Sequence, residues 1–460
     1  MTDDNVCDMS FAALRARYVE DACAARAVLH TAFERVASSP AAVWIHVTSL
    51  EKAQAALADS TERRRAGEQL SLFGMPFAVK DNIDVAGMPT TAGCPAFSYV
   101  PRRSARIVET LLAEGAICIG KTNMDQFATG LTGTRSPYGI CASWFDARYI
   151  AGGSSSGSAV AVAAGQVAFA LGTDSGGSGR IPAAFNNIVG VKPTIGALSL
   201  DGMVPNARLF DCPSIFAGTL DDATELRRML ERTNNGNKLA RQPVARELST
   251  PVSLKELRVA VLRHEDREFF GCGASQERYE ATITNLARDG AKIIETDFAP
   301  FRAAGEMVLK SALVAERKAG ILDFFNERPD ALHPVVRKVF EQANGWSAVD
   351  AFDALYRMDG MRSEAEAFWT DADVLVIPSA PRPFLIEEIL EEPFSRNVDV
   401  GRYSYFVNVL DLCALAIPNG FLANGMPTGI TVVGPSWTDD RLAEIGKHIA
   451  TNAAGLVLEE

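Results

Sequence analysis

No block of lysine and arginine appears anywhere in the chain, and 57 acidic residues against 45 basic ones leave a formal net charge of -12. That balance argues against a nucleic-acid partner. A signal peptide opens on basic residues and an apolar run; Met1 to Asn5 is acidic instead, so export is not expected and a cytoplasmic location is. Long apolar runs are missing too. The longest, Ala159 to Leu171, is interrupted by Gly165 and Gln166, and a bilayer span needs about 20 residues. It reads as buried core, and no membrane association is expected. The eight cysteines (Cys7, Cys23, Cys94, Cys118, Cys141, Cys212, Cys272, Cys413) include no close pair. Neither a zinc cluster nor a dithiol motif is therefore indicated, and the cysteines read as reduced, mostly packed thiols.

What is present is an ordinary globular composition, 47% hydrophobic and 22% charged over 460 residues, enough to bury a deep site. Phe11 to Ala37 and Ser49 to Arg65 carry helical apolar spacing and predict two outer helices within residues 1–70. From Leu72 the pattern changes to short apolar runs: Phe77 to Val79, Ala116 to Ile119, Val167 to Leu171 and Ile188 to Val191. Ser104 to Glu114 reads as a helix stopped by Gly115, and Thr219 to Arg232 as a helix with Thr219 and Asp222 spaced as a capping box. Residues 72–230 thus form the expected catalytic core, and the polar stretch 234–252 a surface loop. Over 253–460, Arg258 to Leu262, Lys292 to Thr296 and Asp373 to Ile377 predict further strands, separated by helices at Gln276 to Arg288 and Phe301 to Phe325. Strands alternating with helices indicate one α/β domain with a largely buried sheet.

Chemistry concentrates between Ile150 and Gly196, where two serine-glycine turns, Gly152 to Ser158 and Ser175 to Gly179, flank an Ala/Val helix and a strand. The second turn has what acyl transfer needs. Gly176 and Gly177 let backbone N–H groups approach a ligand, and the amides of Ser175, Gly176, Gly177 and Ser178 are candidates for an oxyanion hole. Two other readings compete. Gly153 to Gly157 also satisfies the G-x-S-x-G nucleophile elbow, centred on Ser155. That elbow needs a downstream histidine, and His264, His333 and His448 are not in turns of the kind that display a base. A phosphate loop would require a Gly-Lys-Ser/Thr ending, which is absent. Lysine can replace histidine as base if its site holds it neutral. Lys80, Lys121 and Lys192 all emerge from apolar strands, and position alone does not choose among them.

At these residues the chain resembles the amidase signature family, whose serine-glycine stretch matches Gly152 to Thr194 almost continuously. The likeness extends through MPFAVKDNIDVAGMPTTAG (Met75 to Gly93), GAICIGKTNMDQFATG (Gly115 to Gly130) and the late segments Asn408 to Pro418 and Gly425 to Gly434. It implies the amidase signature fold, a large mixed twisted sheet covered on both faces by helices. It implies a Ser-Ser-Lys triad with Lys80 as base, Ser154 as bridging serine and Ser178 as nucleophile, the two serines 24 residues apart. It also implies no cofactor, no metal, a small-molecule amide substrate and a homodimer.

Within the family the chain looks most like the allophanate hydrolases, through KDNIDVAGMPTTAGCPAF, NMDQFATGLTGTRSPYG and GSGRIPAAFNNIVGVKPT. The resemblance implies hydrolysis of a small carboxylated urea, with Gly130 and Arg317, in Val314-Ala315-Glu316-Arg317, binding the substrate. It departs from that subfamily in three places. Leu309 stands where those enzymes place a tyrosine eight residues before the arginine, and Ser175-Gly176 stands where they usually have Thr-Ala. The amidase region also runs to residue 460, so the C-terminal domain many of them carry is not expected within this sequence. Another small amide as substrate, or a role as an amidotransferase-type subunit, is the alternative.

Overall fold

Eleven strands join into one sheet among the residues described by the computed structural model, which are 8–20, 23–234, 241 and 253–454. In chain order they are β1 (Trp44–Val47), β2 (Pro76–Lys80), β3 (Ile117–Thr122), β4 (Phe169–Thr173), β5 (Val189–Lys192), β6 (Pro213–Ala217), β7 (Arg258–Leu262), β8 (Lys292–Thr296), β9 (Val374–Pro378), β10 (Leu412–Phe421) and β11 (Pro427–Pro435). Their order across the sheet is β1-β3-β2-β4-β6-β5-β10-β11-β9-β7-β8. Pairing is parallel for β2 with β3 and β4 and for β7 with β8 and β9, and antiparallel elsewhere. The sheet is therefore mixed, as the resemblance implies.

Side chains alternate between the two faces of a strand. Every residue of β2, β3, β4, β5, β6 and β9 is buried, so both faces are covered there. Burial is incomplete along the two edge strands, β1 and β8, where exposed backbone is best tolerated.

Seven strands lie near where the sequence pattern predicts them: β7 and β8 match, β4, β5 and β9 are shifted by one or two residues, and β2 and β3 run longer than predicted. β1, β6, β10 and β11 carry no readable period, and tertiary pairing makes them. The predicted helix from Phe11 to Ala37 is two, Phe11–Glu20 and Ala24–Ala37. The predicted helix from Phe301 to Phe325 is also broken. Its pieces are Ala299–Lys310, a 3-10 turn at Ala312–Val314, Ala315–Ala319 and Leu322–Glu327. Ser311 causes the first break: its backbone is extended (φ -135°, ψ 176°), and its hydroxyl donates to Met307 O while accepting from Leu313 N–H.

Thr219 caps its helix by accepting from Asp222 N–H at 3.2 Å. The Asp222 carboxylate accepts from Phe11 N–H, tying the N-terminal helix down in place of closing the reciprocal half of a capping box. Of the predicted surface loop 234–252, Asn234 and Arg241 are described and the rest lies outside the described residues.

Candidate active site

Parallel pairing of β2 with β4, with Val79 opposite Leu171, brings Lys80 and Thr173 together at the carboxyl ends of the two strands. Lys80 is fully buried and its Nζ donates to Ser154 Oγ and to Thr173 Oγ1, each at 2.7 Å. Burial pushes the Lys80 ammonium down to about 7, against the opposing pull of Asp125, Asp174 and Asp211. A buried amine at that value has a large neutral fraction near pH 7, as a base requires.

The other two strand-end lysines do structural work. Lys121 pairs with Asp81 at 3.4 Å and donates to Thr90 Oγ1. Lys192 donates to the Pro193 and Leu412 carbonyls, binding β5 to β10. Among the described residues, Lys80 alone of the three donates to a serine.

Beyond Thr173 the chain wraps around the side chain of Asp174. Oδ1 accepts from Gly176 N–H at 3.1 Å and Gly177 N–H at 2.7 Å, and Oδ2 accepts from Gly179 N–H at 3.0 Å. Gly177 has a φ of +137°, and a Cβ there would strike the Ser404 hydroxyl, so glycine is required. Two of the four candidate oxyanion-hole amides, those of Gly176 and Gly177, thus donate to Asp174. The Ser175 and Ser178 N–H groups make no hydrogen bond among the described residues. Ser175 Oγ donates to Asp211 Oδ1 at 2.6 Å, which fixes the start of the turn.

The first serine-glycine turn is held by a second buried carboxylate. Asp125 accepts from the Thr132, Gly133 and Arg135 N–H groups, and a Cβ on Gly153 would collide with its Oδ2. The bend that presents Ser154 to Lys80 is thus shaped by Asp125 behind it. Ser155, the elbow candidate, is sealed and pinned to β4, donating to Thr173 O and accepting from Thr173 N–H. His264 and His448 are exposed, and His333 caps the helix Pro334–Glu341 by accepting from Val335 N–H. The elbow reading is therefore overturned.

Ser178 is 4% exposed and lines a cavity of about 210 Å³ together with Gly130, Arg135, Ser175, Leu309 and Arg317. Its Oγ makes no hydrogen bond among the described residues, so the Lys80–Ser154 leg of the expected relay is closed and the Ser154–Ser178 leg is open. Arg317 is half-buried and its Nη1 donates to Val308 O at 2.8 Å. Burial pushes its guanidinium below the ordinary value, with Arg135 adding to the effect and Tyr405 opposing it. Gly130 and Arg317 therefore line one cavity with Ser178.

Thr173, Asp174, Asp125, Arg135 and Tyr405 escaped the sequence reading. The Thr-Asp pair ahead of Ser175-Gly176-Gly177 was a usable signal, because an acidic residue before a glycine-rich bend can fold it around its own carboxylate. Among the described residues no group of three or more His, Cys, Asp or Glu could hold a metal ion, and no helix is long and apolar enough to cross a membrane.

Known proteins resemble the chain over most of its length. An amidase family profile matches residues 27–443. The urea amidolyase of Saccharomyces cerevisiae is 40% identical over 413 residues, which is 89% of this chain and 22% of that protein. The chain thus spans about a fifth of the length of that relative. A glutamyl-tRNA(Gln) amidotransferase subunit of Symbiobacterium thermophilum is 33% identical over 421 residues, 83% of this chain and 84% of that protein. Among solved structures, Kluyveromyces lactis allophanate hydrolase superposes with a TM-score of 0.87 at 36% identity, covering 96% of this chain and 72% of that one. A serine-to-alanine variant of the K. lactis enzyme gives 0.85 at 37% identity, covering 92% and 70%. With the profile spanning most of its length and the amidotransferase protein matched over 84% of its own, the chain belongs to the amidase family.

Proposed function

We propose that this chain is an amidohydrolase that cleaves allophanate, with Lys80 as base, Ser154 as proton bridge and Ser178 as nucleophile. The carrying observation is the sealed Lys80 Nζ donating to Ser154 Oγ at 2.7 Å beside a cavity that holds both Ser178 and Arg317. Neutral Lys80 takes a proton from Ser154 as Ser154 takes one from Ser178, whose Oγ attacks the terminal amide carbon. The Ser178 hydroxyl has no competing partner among the described residues, so it is free to turn toward Ser154 once substrate fills the cavity. The developing oxyanion meets the free N–H groups of Ser175 and Ser178. The relay returns the proton to the leaving nitrogen, ammonia departs, and water hydrolyses the acyl-enzyme by the same route. Arg317 faces the substrate carboxylate. The likeness to a urea amidolyase and an allophanate hydrolase supports this substrate. The buried thiols Cys94, Cys118, Cys141, Cys212 and Cys413, none of them in a disulfide, support a reducing, cytoplasmic setting.

The deciding experiment is ammonia release from allophanate by purified protein, combined with trapping by an electrophilic amide analogue and peptide mapping. An adduct on Ser178 is expected. An adduct on Ser155, or cleavage of other small amides without any of allophanate, sinks the assignment. Leu309 favours one second reading, an amidase for a differently shaped small amide, because an apolar side chain lines the cavity there. Loss confined to carboxylated substrates in Arg317→Ala separates the two.

A further inference from the structure

Arg135 and Arg317 both line the cavity, and neither guanidinium has a carboxylate partner among the described residues. Arg135 is 3% exposed. Its Nη1 donates to Thr129 O at 3.0 Å and its Nη2 to Pro393 O at 2.6 Å, while its Nε has no hydrogen-bond partner. Arg317 likewise donates to a backbone carbonyl. The nearby Asp125 carboxylate does not pair with the Arg135 guanidinium, since its oxygens accept three backbone N–H groups. Tyr405 lies close enough to interact electrostatically with both arginines, but its hydroxyl is committed to Asn397, accepting from Nδ2 and donating to O. A buried cation is normally paired. Two left without counter-ions beside one cavity make a site prepared for an anion.

We propose that Arg135 is a second cation for substrate recognition, acting with Arg317 to select amides that carry a carboxylate. The inference rests on the amidase reading above. Arg135 lies in the cavity wall beside Gly130: a Cβ on Gly130 would lie 3.0 Å from Arg135 Cδ, so the arginine shaft packs directly against that glycine. In that poorly solvated setting its field reaches a bound carboxylate with little screening. The two carbonyl contacts hold the guanidinium in place.

A purely structural role would be as a strut between Thr129 and Pro393, and charge separates the two roles. Arg135→Gln removes the charge; Arg135→Lys keeps it and breaks the double bridge. The measurement is kcat/KM for malonamate against uncharged malonamide, with malonate as a competitive inhibitor. In Arg135→Gln the malonamate value is expected to fall by about tenfold or more, chiefly through KM, with malonate inhibition weakened alike and the malonamide value within about threefold of wild type. Arg135→Lys is expected to keep the preference for the charged substrate. Should the glutamine variant not fold, Arg135→Met takes its place. Equal losses on both substrates in the charge-removing and lysine variants would overturn the proposal in favour of the strut. Arg317→Ala is the control: if it too leaves the preference untouched, the carboxylate reading of the cavity fails as well, whereas an effect there without one at Arg135 removes this inference alone.

Discussion

Arg180 grips both oxygens of Asp174, Nε on Oδ2 at 2.9 Å and Nη2 on Oδ1 at 3.0 Å, with both side chains sealed from solvent. Asn408 completes the knot, accepting from Arg180 Nη2 and donating to the Asp174 carbonyl. The serine turn is therefore anchored from the end of β4 to the segment that precedes β10, more than two hundred residues later.

Replacing Asp174 by Asn leaves Arg180 buried with its charge uncompensated, and breaking a buried pair by removing one partner costs about 3 to 5 kcal/mol. Urea unfolding of Asp174→Asn should show a loss of that order, and its kcat should fall because the Ser178 turn loses its frame. Burial alone would raise the Asp174 carboxyl, but Arg180 outweighs it and, with Lys192 and the Gly179 amide, holds it at about 2. The folded value lies below the unfolded one, so this contribution is complete above about pH 4 and disappears as the pH falls toward 2. Acid unfolding of the wild type, compared with the variant across that window, checks the sign.

For Lys80 the downward shift is a penalty on the charged form where for Asp174 it is a gain. The neutral amine is the active form, so kcat/KM should rise with pH on a limb of unit slope with a midpoint near 7. Between about 7 and the ordinary 10.5 the unfolded chain holds a proton that the folded chain does not, and stability rises with pH across that window. Below 7 the folded protein carries the full penalty, roughly 5 kcal/mol. Lys80→Met should lose activity by about a thousandfold. It should also be more stable than wild type below pH 7, a gap that closes as the pH rises toward 10. Thermal melts at pH 6 and pH 9 test both signs, and a variant less stable at pH 6 would contradict them.

Thr173 is the second acceptor of the Lys80 amine, and the hydrogen bond fixes the Nζ direction toward Ser154. Thr173→Val keeps the shape of the side chain and removes that acceptor. A buried amine deprived of it is harder to protonate, so the midpoint of the pH profile should move below the wild-type value while kcat drops by about tenfold through misorientation. Stability should change by about 1 kcal/mol. An unchanged profile would show that Ser154 alone orients the lysine.

Much of this site was legible in the sequence because local chemistry wrote it. Gly153 and Gly177 appear as glycines for reasons that the two carboxylates and Ser404 make plain, and Lys80 ends an apolar run of the kind that buries a strand. Other parts were invisible for a physical reason. Position leaves three strand-end lysines level and the resemblance alone picks Lys80; strand pairing is what separates them, since β2 beside β4 brings Lys80 to Ser154, whereas Lys121 meets Asp81. The two inward-turned amides at Gly176 and Gly177 could not be separated from their neighbours, because a backbone N–H carries no sequence signal of its direction. Pro213–Ala217 is not among the strands the pattern predicts, and its antiparallel neighbours β4 and β5 make it β6. The break at Ser311 was hidden inside a continuous helical period, yet it lets Leu309 and Arg317, on different helices, line one cavity.

That convergence makes Leu309 the place to test substrate choice. It ends the run before the break, lines the cavity with Arg317, and offers no hydrogen bond where the allophanate hydrolases resembled here carry a tyrosine. Leu309→Tyr adds a hydroxyl beside a bound carboxylate, and a hydrogen bond to a charged group contributes about 1.5 to 3 kcal/mol. The expected result is a KM for allophanate lowered by roughly tenfold with kcat little changed, because the contact exists equally in the ground and transition states. Malonamide, which has no carboxylate to receive the hydroxyl, should bind no better. If Leu309→Tyr instead raises KM for allophanate and spares larger amides, the apolar wall is itself a recognition element, and the native substrate carries an apolar group at that position.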